Sequence, residues 1–181
     1  MRVEKTDFRD LLVLRPDVYP DDRGYFLETF NAETFRSATG LELDFVQDNE
    51  SGSAKNVIRG MHFQVPPCGQ SKLVRVSNGR VLDVVIDLRT NEPTFGQHFK
   101  IELDARLKDM LFIPEGFAHG FAALEDNTVF NYKCTNFFSK THERALRFDD
   151  PAFEIDWGIT HPVVSDKDQN AQLFAEFNSP F

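Results

Sequence analysis

Cysteine, basic charge and long apolar runs are all scarce in this chain of 181 residues. Its two cysteines, Cys68 and Cys134, share no CxxC motif and are too few for a disulfide scaffold or a structural zinc site. They fit a reducing compartment as two ordinary thiols. Lys and Arg total 20 against 29 Asp and Glu, a net charge of −9. Binding a phosphodiester backbone needs clustered cations, so general nucleic-acid binding is disfavoured and no nucleic-acid partner is expected, although a local basic pocket for a small anion is not disfavoured. No run approaches the roughly 18 apolar residues of a membrane span, so no membrane partner is expected. The opening MRVEKTDFRD lacks the apolar segment of a secretory signal, which makes the cytoplasm the expected location. Glycine fingerprints are missing too. Without GxGxxG, GxxxxGK[ST] or GxSxG, hydride transfer from a dinucleotide, P-loop chemistry and the α/β-hydrolase route are disfavoured. His62-Phe63-Gln64 lacks the second His of an HxH pair, no HExxH exists, and His98, His119, His142 and His161 are scattered. Neither a metal nor another cofactor is therefore expected.

Helical patterning is equally sparse, and β signals fill the chain. At about 150 residues per domain the length predicts one domain, 1–181. Phenylalanine is abundant, with 19 residues, which points to a core packed on aromatic rings. Short runs rich in β-branched and aromatic residues follow one another at turn-punctuated intervals: 11–16, 24–30, 43–48, 56–65, 72–77, 80–88, 98–104, 109–114, 119–124 and 128–134. In HFKIELD (98–104), Phe99, Ile101 and Leu103 face one way and Lys100, Glu102 and Asp104 the other. Asn78-Gly79 between the runs at 72–77 and 80–88 predicts a tight hairpin with a type I′ turn. Short helices are expected only at 32–38, ended by Gly40, and at 166–176; EPTFG (92–96) and FDDPAF (148–153) read as loops. Many short strands without βαβ alternation predict an all-β jelly-roll sandwich or barrel.

Some polar residues sit oddly inside these apolar strands. His62 and Gln64 share one strand face, with Met61 and Phe63 on the other. Tyr132 lies on the face of Phe130 and Cys134, and His119 opens a strand after a Pro-Gly turn. Lys72 shares a face with Val74 and Val76, where desolvating an ammonium is expensive unless the face lines a pocket for an anion or enolate. Taken singly, each has an ordinary reading: a core or rim histidine, a packed tyrosine, a solvated lysine, a surface arginine at Arg59.

Their co-occurrence with a longer pattern changes that. DDRGYFLETFN (21–31), FVQDNESGSAKNVIRGMHFQ (45–64), KLVRVSNGRVLDVVIDLR (72–89), PTFGQHFKIELDA (93–105), FIPEGFAHGF (112–121), FNYKCT (130–135) and SDKD (165–168) together resemble the dTDP-4-dehydrorhamnose 3,5-epimerase family, in the family's order and over nearly the whole chain. The resemblance implies a cupin-like jelly roll, a homodimer, no metal, and dTDP-4-keto-6-deoxyglucose as substrate. It makes His62 the catalytic base, Asp168 its orienting partner and Tyr132 the acid on the opposite face. It places Lys72 and His119 at the sugar, and Arg59, Gln47 and Asn49 at the diphosphate or sugar. It also implies that Arg23, Phe26 and Glu28 reach the nucleotide in the neighbouring subunit. The chain departs from the family pattern at Glu50-Ser51-Gly52, after QDN, and at Phe137 and Phe138, where tyrosines are usual. A phenyl ring still stacks but loses the hydroxyl.

Imidazole suits removal of a proton α to a ketone, because its pKa lies near neutrality. A carboxylate fixes its tautomer, a phenol can return a proton from the other face, a lysine can hold the enolate oxygen, and an arginine forks onto phosphate. Two other classes stay open beside this reading, a non-catalytic sugar-binding cupin and a metal-dependent cupin. So does a 3-epimerase acting on a related nucleotide sugar.

Overall fold

A computed structural model describes residues 1–181. Thirteen strands and two short helices follow in the order β1 (Arg2–Lys5), β2 (Leu12–Arg15), β3 (Tyr19–Asp21), β4 (Gly24–Phe26), α1 (Ala32–Thr39), β5 (Gln47–Ser53), β6 (Ile58–Gln64), β7 (Lys72–Asn78), β8 (Arg80–Asp87), β9 (His98–Asp104), β10 (Met110–Ile113), β11 (Phe117–Ala123), β12 (Thr128–Cys134), β13 (Glu143–Ala145) and α2 (Asp166–Gln169). A six-stranded sheet, β1-β2-β10-β7-β12-β5, faces a five-stranded sheet, β13-β6-β11-β8-β9, and all pairings within them are antiparallel. This is the expected all-β jelly roll. No helix is long and apolar enough to cross a membrane.

Period-2 alternation sorts the strand residues into three apolar layers. Between the sheets lie Val74 and Val76 of β7, Val81 and Val85 of β8, Leu111 and Ile113 of β10, and Phe121 and Phe130, with Phe99, Ile101 and Tyr132 packed against them. The opposite faces are covered as well. Val84, Ile86, Met61 and Phe63 pack under the C-terminal segment through Phe153, Trp157, Phe174 and Phe177. Leu12, Leu14, Leu73 and Phe112 pack under α1 through Phe35. The abundant phenylalanines thus serve all three layers, by edge-to-face and tilted contacts such as Phe35–Phe112 at 5.6 Å and Phe153–Phe174 at 4.9 Å.

α1 forms where expected. The Asn31 side chain accepts from the N–H groups of Glu33 and Thr34, and Gly40 closes the helix at φ 74°. The second expected helix is mostly absent. After one turn capped by Ser165, the chain leaves α2, and the Phe174 N–H is taken by the Asp150 carboxylate before a single 3₁₀ turn, Phe174–Glu176. Tertiary partners outbid a helix too short to hold itself.

The hairpin expected at Asn78-Gly79 is a correction. β7 pairs with β10 and β12, whereas β8 pairs with β9 and β11, so the turn carries the chain from one sheet to the other. Only Gly79 has positive φ, at 78°, where a type I′ turn needs both residues. The run at 43–48 is also displaced. Leu41, Leu43 and Phe45 cover the outer face of the six-stranded sheet, and pairing begins at Gln47. Of the run at 24–30, only Gly24–Phe26 is strand, in a two-stranded ribbon with Tyr19–Asp21.

Candidate active site

The inter-sheet layer does not fill the sandwich. Toward one end it opens into a cavity of about 600 Å³, within the range of small-molecule sites. His62 and Arg59 of β6 and His119 of β11 project into it from the five-stranded sheet; Lys72 of β7, Tyr132 of β12, and Gln47 and Asn49 of β5 project from the other. Asp168 of α2 closes one side. Eight of the residues singled out from sequence therefore line one cavity. Arg23, Phe26 and Glu28 do not. They sit on or just after the β3–β4 ribbon, with the Arg23 side chain 91% exposed and Phe26 63% exposed.

Arg59 and His62 are three residues apart, so simple alternation would send them to opposite faces. A β-bulge resolves this. On β11, His119 pairs with His62 and Phe121 with Arg59, so two steps on one strand match three on the other. Gly60 supplies the extra residue at φ 132°, and a Cβ there would lie 2.4 Å from the Gly120 Cα. Only glycine fits that backbone and that approach. Ile58, Met61 and Phe63 consequently stay in the outer apolar layer while Arg59 and His62 face the cavity.

His62 Nε2 lies 2.6 Å from Asp168 Oδ1, and the Gly60 N–H donates to Asp168 Oδ2 at 3.3 Å. Burial pushes the Asp168 carboxyl up, but the hydrogen bond and charge of His62, with the Gly60 N–H, outweigh it and hold the carboxyl below its usual range. A second pair stands beside the first. His119 Nε2 contacts the Asp83 carboxylate at 2.9 Å and 3.1 Å, and Asp83 is fully buried on β8. Burial raises the Asp83 carboxyl, with His119 and Lys72 opposing.

Lys72 is buried, and its Nζ donates to the His62 carbonyl at 3.4 Å. Burial lowers its pKa; Cys134, Asp83 and Glu143 pull the other way. Tyr132 shifts up, first through burial and then through Cys134, so its phenol keeps its proton beyond the ordinary range. Arg59 is held by the Ser53 hydroxyl at 3.1 Å and the Gly52 carbonyl at 2.9 Å, which leaves the rest of its guanidinium fork to the cavity. No three His, Cys, Asp or Glu side chains converge as a metal-binding group.

Asp83 was missed in sequence, although its signal was present: a carboxylate on the apolar face of Val81 and Val85, the same anomaly that exposed Lys72. Glu143 and Lys167, ion-paired at 2.6 Å, also line the cavity; Lys167 stands in the SDKD motif, while Glu143 carried no sequence signal. Of the departures noted above, Glu50 accepts from Asn131 Nδ2 at 2.7 Å and lines a separate cavity of about 340 Å³, whereas Ser51 lines the main cavity and the Gly52 carbonyl holds Arg59. Phe138 lines the main cavity; Phe137 does not.

A jelly roll whose two walls present a histidine–carboxylate pair and a protonated phenol to one cavity defines a proton-transferring enzyme of the cupin type. The comparisons with known proteins identify which. The family model described as dTDP-4-dehydrorhamnose 3,5-epimerase matches residues 5–176, and the chain belongs to that family. It is 47% identical over 176 residues to the dTDP-4-dehydrorhamnose 3,5-epimerase of Shigella flexneri, covering 97% of each. The crystal structure of dTDP-4-dehydrorhamnose 3,5-epimerase from Elizabethkingia anophelis superposes with a TM-score of 0.91 at 45% identity and 97% coverage of both chains. That of dTDP-6-deoxy-D-glucose-3,5-epimerase from Legionella pneumophila, in complex with dTDP-4-keto-L-rhamnose, superposes at 0.94 with 38% identity, covering 98% of this chain and 94% of the other.

Proposed function

We propose that the chain epimerises dTDP-4-keto-6-deoxyglucose at C3 and C5, giving dTDP-4-dehydro-L-rhamnose, with His62 as base and Tyr132 as acid. The observation that carries this reading is the placement of the His62–Asp168 pair on one wall and Tyr132 on the facing one. Both C3 and C5 protons are acidified by the C4 carbonyl. With Nε2 donating to Asp168, His62 presents the lone pair of Nδ1, takes a proton from carbon, and becomes an imidazolium that Asp168 stabilises. The electron pair moves onto the C4 oxygen, where the Lys72 ammonium holds it. Tyr132 then delivers its phenolic proton to the opposite face of the same carbon, and the configuration at that carbon is inverted. Proton exchange with solvent resets imidazolium and phenolate, so no net oxidation occurs and no redox cofactor or metal is required. Arg59 forks onto the diphosphate, and Gln47, Asn49 and His119 contact the sugar-diphosphate portion.

The assembly proposed is a homodimer in which Arg23, Phe26 and Glu28 of one subunit complete the nucleotide end of the other. Tyr19 and Phe26 stack at 6.5 Å on a ribbon that also exposes Tyr25, an aromatic surface suited to burial against a partner. The cytoplasm, where the free Cys68 and Cys134 would stay reduced, is the proposed location.

Incubation with dTDP-4-keto-6-deoxyglucose in deuterated water tests the reading. Deuterium at both C3 and C5 of an inverted product is expected, unchanged after exhaustive chelation. Deuterium at C3 alone would make the enzyme a 3-epimerase, and loss of activity on chelation, restored by a divalent ion, would overturn the metal-free mechanism.

A further inference from the structure

Phe138 lines the cavity from the segment 136–139, which belongs to no strand or helix. The Phe137 and Phe138 rings are 65% and 56% exposed and do not hold the segment, while Ser139 Oγ lies 2.8 Å from His142 Nδ1 and Asn136 Oδ1 accepts from the Phe137 N–H at 3.0 Å. Glutamine side chains from outside the segment hold its main chain. Gln70 Nε2 donates to the Asn136 carbonyl at 2.7 Å. Gln64 Nε2 donates to the Phe137 carbonyl at 3.2 Å and to the Cys68 carbonyl at 2.7 Å. Gln47 Oε1 accepts from the Phe138 N–H at 2.9 Å, and Gln64 Oε1 accepts from the Ser139 N–H at 2.5 Å. Four consecutive residues thus each give one main-chain group to a glutamine.

We propose that Gln47, Gln64 and Gln70 form a clamp that positions Phe138 at the cavity, and that Gln64 and Gln70 are positioning residues for the nucleotide end of the substrate. The proposal rests on the nucleotide-sugar reading above. A primary amide suits the task because it donates and accepts from one neutral end, so a single buried side chain can hold both a carbonyl and an N–H. A carboxylate in its place would face the Phe137 and Cys68 carbonyls with like partial charge. Gln64 lies two residues beyond His62 on the same face of β6. The clamp therefore ties the segment to the strand that carries the proposed base. A pre-set ring binds a planar base without first paying to order its own loop. The two polar ends of that arrangement, the amides of β5 and β6, come from opposite sheets, so the segment also bridges the sandwich.

Amide exchange in the unliganded protein tests the geometry. The Phe138 and Ser139 N–H groups should exchange at least tenfold more slowly than that of Lys140, which has no partner. Equal rates would overturn the clamp. Calorimetric titration with dTDP tests the role. Gln64→Leu should weaken dTDP binding about tenfold, or about 1.4 kcal/mol, while kcat at saturating substrate stays within threefold; Gln70→Leu, at a half-exposed site that the fold tolerates better, should shift the same quantity in the same direction. In a Phe138→Ala background the effect of Gln70→Leu should fall below twofold, because the clamp acts through that ring. Unchanged dTDP affinity in a folded Gln70→Leu protein, or full additivity with Phe138→Ala, would overturn the positioning role. Absence of dTDP binding by the wild type would instead remove the nucleotide-sugar reading on which the role depends.

Discussion

His62 and Asp168 stand 106 residues apart in sequence and 2.6 Å apart in space. The contact joins a central strand to a single helical turn near the end of the chain, and it separates two functions that one variant would confuse. His62→Ala removes the proposed base and should lower kcat by about 10²–10⁴-fold while dTDP binding stays near that of the wild type. Asp168→Asn keeps the shape but loses the charge that favours the imidazolium, so kcat should fall while KM holds. Steady-state kinetics with calorimetry checks both. A His62→Ala enzyme within threefold of wild-type turnover would sink the assignment.

Tyr132→Phe should uncouple the two proton transfers. His62 can still remove and return a proton on its own face, so exchange of substrate hydrogen with solvent deuterium should outlast net inversion. Proton NMR in deuterated water measures both rates in one sample. Equal loss of the two would assign Tyr132 to a shared or structural role.

Lys72 sets a pH limit. Burial lowers its pKa, so the ammonium is lost as pH rises at a point below the ordinary lysine value of 10.5. Activity should therefore begin to fall on the alkaline side at a lower pH than an ordinary lysine would set, while burial moves the Tyr132 phenol the other way. In Lys72→Arg, which stays charged, the alkaline limb should move to higher pH even where the maximal rate drops. An unmoved limb in the pH profile of kcat would assign it to another group.

Phe26→Ala should leave the subunit fold intact, because the ring is 63% exposed and stacks on Tyr19, itself 60% exposed. If the ribbon completes a neighbouring site, the same variant should raise KM at least several-fold or shift light scattering toward monomer. A fully active monomeric wild type at assay concentration would refute the dimer.

Gly60→Ala should be among the costliest single changes. A Cβ would lie 2.4 Å from Gly120 Cα and 2.9 Å from the His119 carbonyl, with φ in the region L residues avoid. Strain and overpacking together predict a loss of about 2–4 kcal/mol in urea unfolding. Any folded fraction should be poorly active, because the bulge sets the phase of both Arg59 and His62.

Much of the fold was legible because its signal is local. The runs at 98–104 and 128–134 coincide with β9 and β12, where alternation persists from end to end. β5 escaped this reading, since its inward residues Gln47, Asn49 and Ser51 face a polar cavity, so it carries no apolar face to find. Asn78-Gly79 shows the reverse error: a strong turn signal says that the chain reverses, not which sheet receives the next strand, and that choice depends on partners far along the chain.

The candidate site divides the same way. The sequence by itself determined that polar residues interrupt apolar faces at His62, Lys72 and His119, because period 2 is a property of a strand alone. Its motifs also determined the family. The family resemblance already implied that Asp168 orients His62 and that Arg59 meets the substrate; only the tertiary structure decided that Asp83 backs His119 and that glutamines from separate strands hold the segment at Phe138. It also decided how Arg59 turns to the cavity, since a bulge needs a second strand against which to be out of step. Each of these depends on distance between residues remote in sequence, and distance of that kind is settled when the sheets pack.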